Sequence, residues 1–175
     1  MTDAAALFLR KSTALLIADY LPKIARALEP LSDADVWWRP NGASNSIGNL
    51  LLHLRGNVTQ WIVGGVAGRP FERRRQAEFD AQGGGSAQSL LDDLTVVVRE
   101  AAAIIDAQTA ATLQERRAIQ GYDVSVLDAI YHVVEHFSMH TGQIILLSKA
   151  RAGKDLGLWR PPASRKPAEP PPQEV

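Results

Sequence analysis

Three histidines stand at four-residue intervals in the string His132-Val133-Val134-Glu135-His136-Phe137-Ser138-Met139-His140-Thr141-Gly142-Gln143. Side chains four apart on a helix stack on one face, and two neutral imidazoles placed that way can grip one metal ion. The fourth histidine of the chain, His53, lies about eighty residues upstream. It closes such a site only if another helix packs alongside.

Taking about 100° per residue from Asp128, His132, His136 and His140 fall at about 40°, 80° and 120°, Gln143 at about 60° and Glu135 near about −20°. The apolar Ile130, Val133, Val134, Phe137, Ile144 and Ile145 occupy the adjoining arc. The histidines therefore border the buried side of the helix. Partial desolvation there disfavours the charged form, and neutral imidazole is the form a metal binds. One histidine at such an edge would read as a core residue, whereas three in register point to metal binding. His53 shares its stripe with Asn49, Asn57 and Gln60, beyond the apolar edge of its helix. That strip is either solvent-facing or one wall of a polar cavity, and periodicity leaves both open. His132 to His136 also has the H-x-x-E-H spacing of the inverted zinc metalloproteases. Those enzymes need a further carboxylate downstream, and the only glutamates after His136 are Glu169 and Glu174. The match is expected to be a coincidence of spacing.

Four amphipathic helices should position these residues. The first spans about Asp3 to Glu29, with Pro22 kinking or restarting it. Ser32 to Asp35 reads as a capping box for a short turn into Val36-Trp37-Trp38. The second runs from near Ser46 to Gly64-Gly65, the third from near Ser86 to about Ala107. The fourth starts at Ser125, with Asp128 completing a capping box, and stops at Gly153. Strand signals are weak throughout. The link from Val66 to Gly85 is long enough to follow a bundle edge, so helices two and three can run parallel. This pattern predicts an all-α four-helix bundle over residues 1–158. A proline-rich tail, 159–175, should be disordered or polyproline-like.

Composition narrows the partners. The chain has 175 residues, of which 46% are hydrophobic, enough for one domain with a substantial core. Nineteen basic residues balance nineteen acidic ones, so no global field draws nucleic acid or an acidic membrane. Arg73, Arg74 and Arg75, flanked by Glu72 and Glu78, read as a solvated loop. With no cysteine, disulfides and protein thiolates are excluded. No basic leader precedes the first apolar stretch, and no apolar run reaches the ~20 residues of a membrane span. A cytoplasmic protein is expected. The four tryptophans, Trp37, Trp38, Trp61 and Trp159, are expected in the core, with a dimer surface as the alternative.

Two segments carry a resemblance. One is Trp37-Trp38-Arg39-Pro40 followed by Ser44-Asn45-Ser46-Ile47-Gly48-Asn49-Leu50-Leu51-Leu52-His53-Leu54-Arg55-Gly56-Asn57-Val58. The other is Val134-Glu135-His136-Phe137-Ser138-Met139-His140-Thr141-Gly142-Gln143-Ile144. Together they resemble the DinB/YfiT-like proteins, metal-binding four-helix bundles of bacteria, over roughly Ala6 to Leu158. The resemblance implies an up-down-down-up bundle, often a homodimer. It also implies that His53, His136 and His140 bind one divalent metal, which leaves His132 outside the ligand set. Asp128 then either pairs with His132 or only caps its helix.

Three imidazoles make zinc the default, with nickel, iron and manganese also compatible. Some relatives look like transferases that join a low-molecular-weight thiol to an electrophile, and such a metal-dependent transfer is the leading expectation. Asn49, Asn57, Arg55, His132 and Gln143 are the candidates beside the metal. Two alternatives stand: a hydrolase using bound hydroxide with Glu135 as base, and a non-catalytic metal-binding or dimerisation module.

Overall fold

Helix α1 (4–28) opens on Asp3, whose carboxylate accepts from the Ala5 amide, in a computed structural model that describes residues 3–158. The helix is α over Ala4–Ala14, π over Leu15–Tyr20 and α again over Leu21–Leu28. Proline lacks an N–H, and its ring crowds the carbonyl four residues back. The wide turn just before Pro22 accommodates both without breaking the helix. Helix α2 (Asp33–Val36) follows, closed at its start by the reciprocal Ser32–Asp35 capping box. Helix α3 covers Ile47–Val58 and continues as a π-helical stretch over Thr59–Val66. Helix α4 (Arg75–Asp80) is short, and α5 is Ala87–Asp106, capped by Ser86. Helix α6 (Val126–Ala152) starts at the expected Ser125–Asp128 capping box and ends at Gly153, whose φ is 63°.

Leu16 and Ile24 of α1, Leu50, Leu54 and Ile62 of α3, Leu94 and Ile105 of α5, and Ile130, Phe137 and Ile144 of α6 are at most 2% exposed and belong to one core. Burying each such side chain contributes about 1.5–3 kcal/mol. Helix α3 packs against both α5 and α6, and α1 packs against α5 and α6. Four long helices thus share a single interior, and the fold is all-α in its main elements. Among the described residues no helix is long and apolar enough to cross a membrane.

One element departs from expectation. A small antiparallel hairpin precedes α6, with β1 (Arg116–Ile119) paired to β2 (Tyr122–Ser125). Its turn residues Gln120 and Gly121 have φ of 54° and 83°. A two-residue turn with both φ positive is the hairpin geometry that asparagine-glycine usually announces; here glutamine-glycine makes it. The link after α3 runs back along that helix: Arg73 reaches Gln60, Glu78 meets His53 and the Ala81 carbonyl accepts from Asn49, so that α4 packs on α3. Trp61 is a core residue, while Trp37 and Trp38 are half-buried. Trp159 and the proline-rich tail lie outside the described residues.

Candidate metal centre

Helices α3 and α6 bring three imidazole nitrogens to one point. His136 Nε2 lies 3.1 Å from His53 Nε2 and 3.1 Å from His140 Nε2. Nitrogens bound to one tetrahedral zinc at about 2.0–2.1 Å sit roughly 3.3 Å apart, so the spacing suits a single divalent ion. It does not suit hydrogen bonding, because His136 Nε2 has one lone pair or one proton and faces two partners. The other ring nitrogens decide the tautomers. His53 Nδ1 is 2.9 Å from Glu78 Oε2, and His140 Nδ1 is 2.6 Å from Gln143 Oε1. Both contacts are satisfied when Nδ1 carries the proton and donates. The lone pairs then sit on Nε2, aimed inward. Backing of ligand histidines by carboxylate or carbonyl oxygens is how metal sites fix ring orientation and raise ligand basicity. His53, His136 and His140 are thus a donor set that could hold a metal.

His132 stands one turn away and does not join them. Its Nε2 is 3.3 Å from Asn57 Nδ2, and its ring is 4.0 Å from that of Trp61. Asp128 serves the Ser125 cap and makes no pair with His132. Glu135 is exposed. Arg55 pairs at the surface with Asp93 at 2.6 Å. Gln143, besides holding His140, lines a cleft of about 280 Å³ with Asn45, Leu50 and Leu146.

Asn49 has a different role from the cavity-lining one expected. Its Oδ1 accepts from the Ser46 amide and hydroxyl, closing the α3 cap. Its Nδ2 donates to the carbonyls of Glu78 and Ala81, both at 2.8 Å. A short polar side chain three residues after a serine cap is within reach of that cap's amide, which is why it turns back.

The arginine run is the larger correction. Arg74 is solvated as expected, but the Arg73 side chain is only 5% exposed. Arg73 grips Glu78 through Nε–Oε1 at 2.7 Å and Nη2–Oε2 at 2.9 Å, and reaches Gln60 Oε1 at 2.7 Å. Phe79, next to Glu78, lies against the His53 ring at 4.7 Å. Neither Arg73 nor Glu78 stood out in the sequence, because a charged run reads as solvent-exposed. One signal was there. Gly56 interrupts the middle of α3, where glycine costs about 1 kcal/mol relative to alanine. A Cβ at Gly56 would sit 2.1 Å from Glu78 Oε1 and 2.8 Å from Arg73 Nε, so the glycine makes room for this pair.

Burial, with His140, His53, His132 and Arg73 adding to it, pushes His136 from 6.5 down to about 3. Burial also lowers His140, against the Gln143 hydrogen bond, and lowers His132, against Glu135. Burial alone would raise Glu78, but hydrogen bonds from Arg73 and His53 outweigh it, and the net shift is downward. These shifts predict how the metal-free protein responds to acid. Below about 6.5 the unfolded chain takes up protons that these folded histidines refuse. Stability is therefore complete above that pH and falls as pH drops toward about 3, by at most about 1.4 kcal/mol per pH unit per histidine. Urea midpoints of chelator-treated protein should fall between pH 7.5 and 5, and a level profile would contradict the assignment.

Comparison with curated proteins and with solved structures gives no match. The family model of the DinB superfamily matches residues 22–144. That span holds α3, α4, α5 and all three converging histidines. The chain belongs to the DinB superfamily.

Proposed function

We propose that the protein binds one divalent cation through Nε2 of His53, His136 and His140, and uses it to activate the thiol of a small molecule for transfer to an electrophile. The observation that carries this reading is the convergence of three Nε2 atoms with Nδ1 of His53 and His140 backed by oxygen. Zinc fits three imidazoles best, and nickel, iron and manganese fit the same donors less selectively. Bound there, a divalent ion supplies Lewis acidity and favours the thiolate form of a thiol that reaches it.

The chain's own residues do the rest. Glu78 and Gln143 orient two ligands. The chain has no cysteine, so the sulfur nucleophile comes from a cosubstrate. The cleft beside Gln143, with apolar Leu50, Leu146 and Leu147 and polar Ser44 and Asn45, can receive a small molecule that is partly apolar and partly polar. The hydrolase reading is weaker because its candidate base, Glu135, faces solvent. In this reading the four long helices run up-down-down-up, with α4 folded back inside the long link between α3 and α5.

Cobalt substitution tests the activity. Adding a low-molecular-weight thiol to the cobalt form should produce a sulfur-to-cobalt charge-transfer band, and the same thiol should react faster with a generic aryl halide than without protein. A thiol panel that gives neither band nor acceleration would leave a metal-binding module without thiol chemistry.

A further inference from the structure

We propose that Glu78 is the positioning residue that makes His53 a metal ligand, and that the segment carrying it is built to hold it there. The inference rests on the metal-centre reading above and extends it to a residue outside the ligand set.

Two groups compete for His53 Nδ1. Glu78 Oε2 is 2.9 Å away, and Arg73 Nη2 is 3.3 Å away. A carboxylate oxygen only accepts, so it selects the tautomer with the proton on Nδ1. A guanidinium only donates, so it selects the opposite tautomer, with the proton on Nε2. The first leaves Nε2 free to bind a cation and the second blocks it. Glu78 wins on distance. It also gives Arg73 somewhere better to donate, since both Arg73 Nε and Nη2 already bond its carboxylate. The arginine thus holds the carboxylate rather than the imidazole. Without Glu78, the buried Arg73 would have His53 Nδ1 as its nearest acceptor on that side.

The backbone around Glu78 is fixed by side chains from elsewhere. Asn49 donates to the carbonyls of Glu78, Phe79 and Ala81, and Arg39 Nη2 to those of Phe79 and Ala81 at 2.7 and 3.2 Å. Trp37 Nε1 donates to Gly85 O at 3.0 Å. The Asn49 and Arg39 bonds give partners to the Glu78 and Phe79 carbonyls in the last turn of α4, which would otherwise lack them. Trp37, Arg39 and Asn49 touch none of the three ligand imidazoles through hydrogen bonds. Their common target is the strap, residues 78–85, that delivers Glu78.

The test has two readouts. In metal-stripped wild-type protein labelled with ¹⁵N-histidine, His53 should be the Nδ1–H tautomer. In Glu78→Ala it should shift to Nε2–H, and zinc affinity measured against a chromophoric chelator should fall 10- to 100-fold. In the double variant Glu78→Ala, Arg73→Met the competing donor is gone, and affinity should recover in part. A wild-type Nε2–H tautomer would overturn the proposal without any variant, so a variant that fails to fold leaves it testable. Zinc affinity of Glu78→Ala within twofold of wild type would also overturn it. Should wild-type protein bind no zinc, the metal reading fails, while the tautomer measurement still judges Glu78 by itself.

Discussion

Replacing His136 by alanine is expected to weaken divalent metal binding by roughly 10²–10³-fold and leave the fold intact. His136 Nε2 is the atom 3.1 Å from both other ligand nitrogens, so its loss leaves two imidazoles on different helices with nothing between them. A structural zinc held by four ligands is worth roughly 10–16 kcal/mol, or about 2.5–4 kcal/mol per ligand, so removing one costs roughly 10²–10³-fold in affinity. The effect on the metal-free protein should be the reverse of an ordinary buried truncation. His136 Nδ1 is buried without a hydrogen-bond partner, and a buried unsatisfied polar atom costs about 1–3 kcal/mol. Alanine removes that penalty along with some packing, so the urea midpoint in chelator should stay near that of wild type. Phe137→Ala provides the contrast. Phe137 is fully buried, and its loss should cost about 3–5 kcal/mol. Elemental analysis and denaturation on the same preparations decide the matter. Stoichiometric metal retained by His136→Ala would remove His136 from the site.

The second large effect is expected from the smallest substitution. Gly56→Ala and Gly142→Ala both add one methyl group inside a long helix, and helix propensity alone favours each by about 1 kcal/mol. At Gly142 nothing lies within 4 Å of the new Cβ, so that gain should be realised. At Gly56 the methyl group would meet Glu78 Oε1 at 2.1 Å. The Glu78 tip can swing aside, but only by leaving Arg73 and His53. Arg73, 5% exposed, would keep its charge without its carboxylate. Breaking a buried ion pair costs about 3–5 kcal/mol, and set against the helix gain this gives a net loss of roughly 2–4 kcal/mol. Zinc affinity should fall at least about tenfold, because the backing of His53 goes with Glu78. Parallel urea titrations and chelator competition on both variants supply the check. Equal stability of Gly56→Ala and Gly142→Ala would mean that the pair does not need that space.

Where chemistry is local, the chain was readable. Ser46, Ser86 and Ser125 begin helices because a serine hydroxyl satisfies amides two or three residues on. Gly153 ends α6 because glycine takes the left-handed conformation freely. His136 and His140 were legible for a similar reason, since a four-residue interval fixes their mutual position. His53 was not. Its stripe lay beyond the apolar edge of α3, and whether that edge meets water or α6 depends on packing between helices. The resemblance named it, and the 3.1 Å contact with His136 places it. Arg73 and Glu78 were misread for a deeper reason. Charged residues are buried only when they neutralise each other and find hydrogen-bond partners, and these partners come from two separate stretches of chain, α3 and the link after it. Asn49 departs from a cavity-lining role because its amide serves two places at once, the start of α3 and the end of α4. The hairpin escaped notice because a glutamine occupies the turn position where asparagine would have drawn attention.

The anchored strap has a consequence for time as well as position. His53 is 4% exposed and His140 8%, and the strap packed against His53 is tied down by Trp37, Arg39 and Asn49. An ion held by these histidines would be closed off on the His53 side, where Glu78 and Phe79 cover the ring. Release through that side would need the bonds holding the strap to open together, and such local opening is cooperative. Weakening the hold of Arg39 or Asn49 on the strap would then speed metal exchange, although neither hydrogen-bonds a converging histidine.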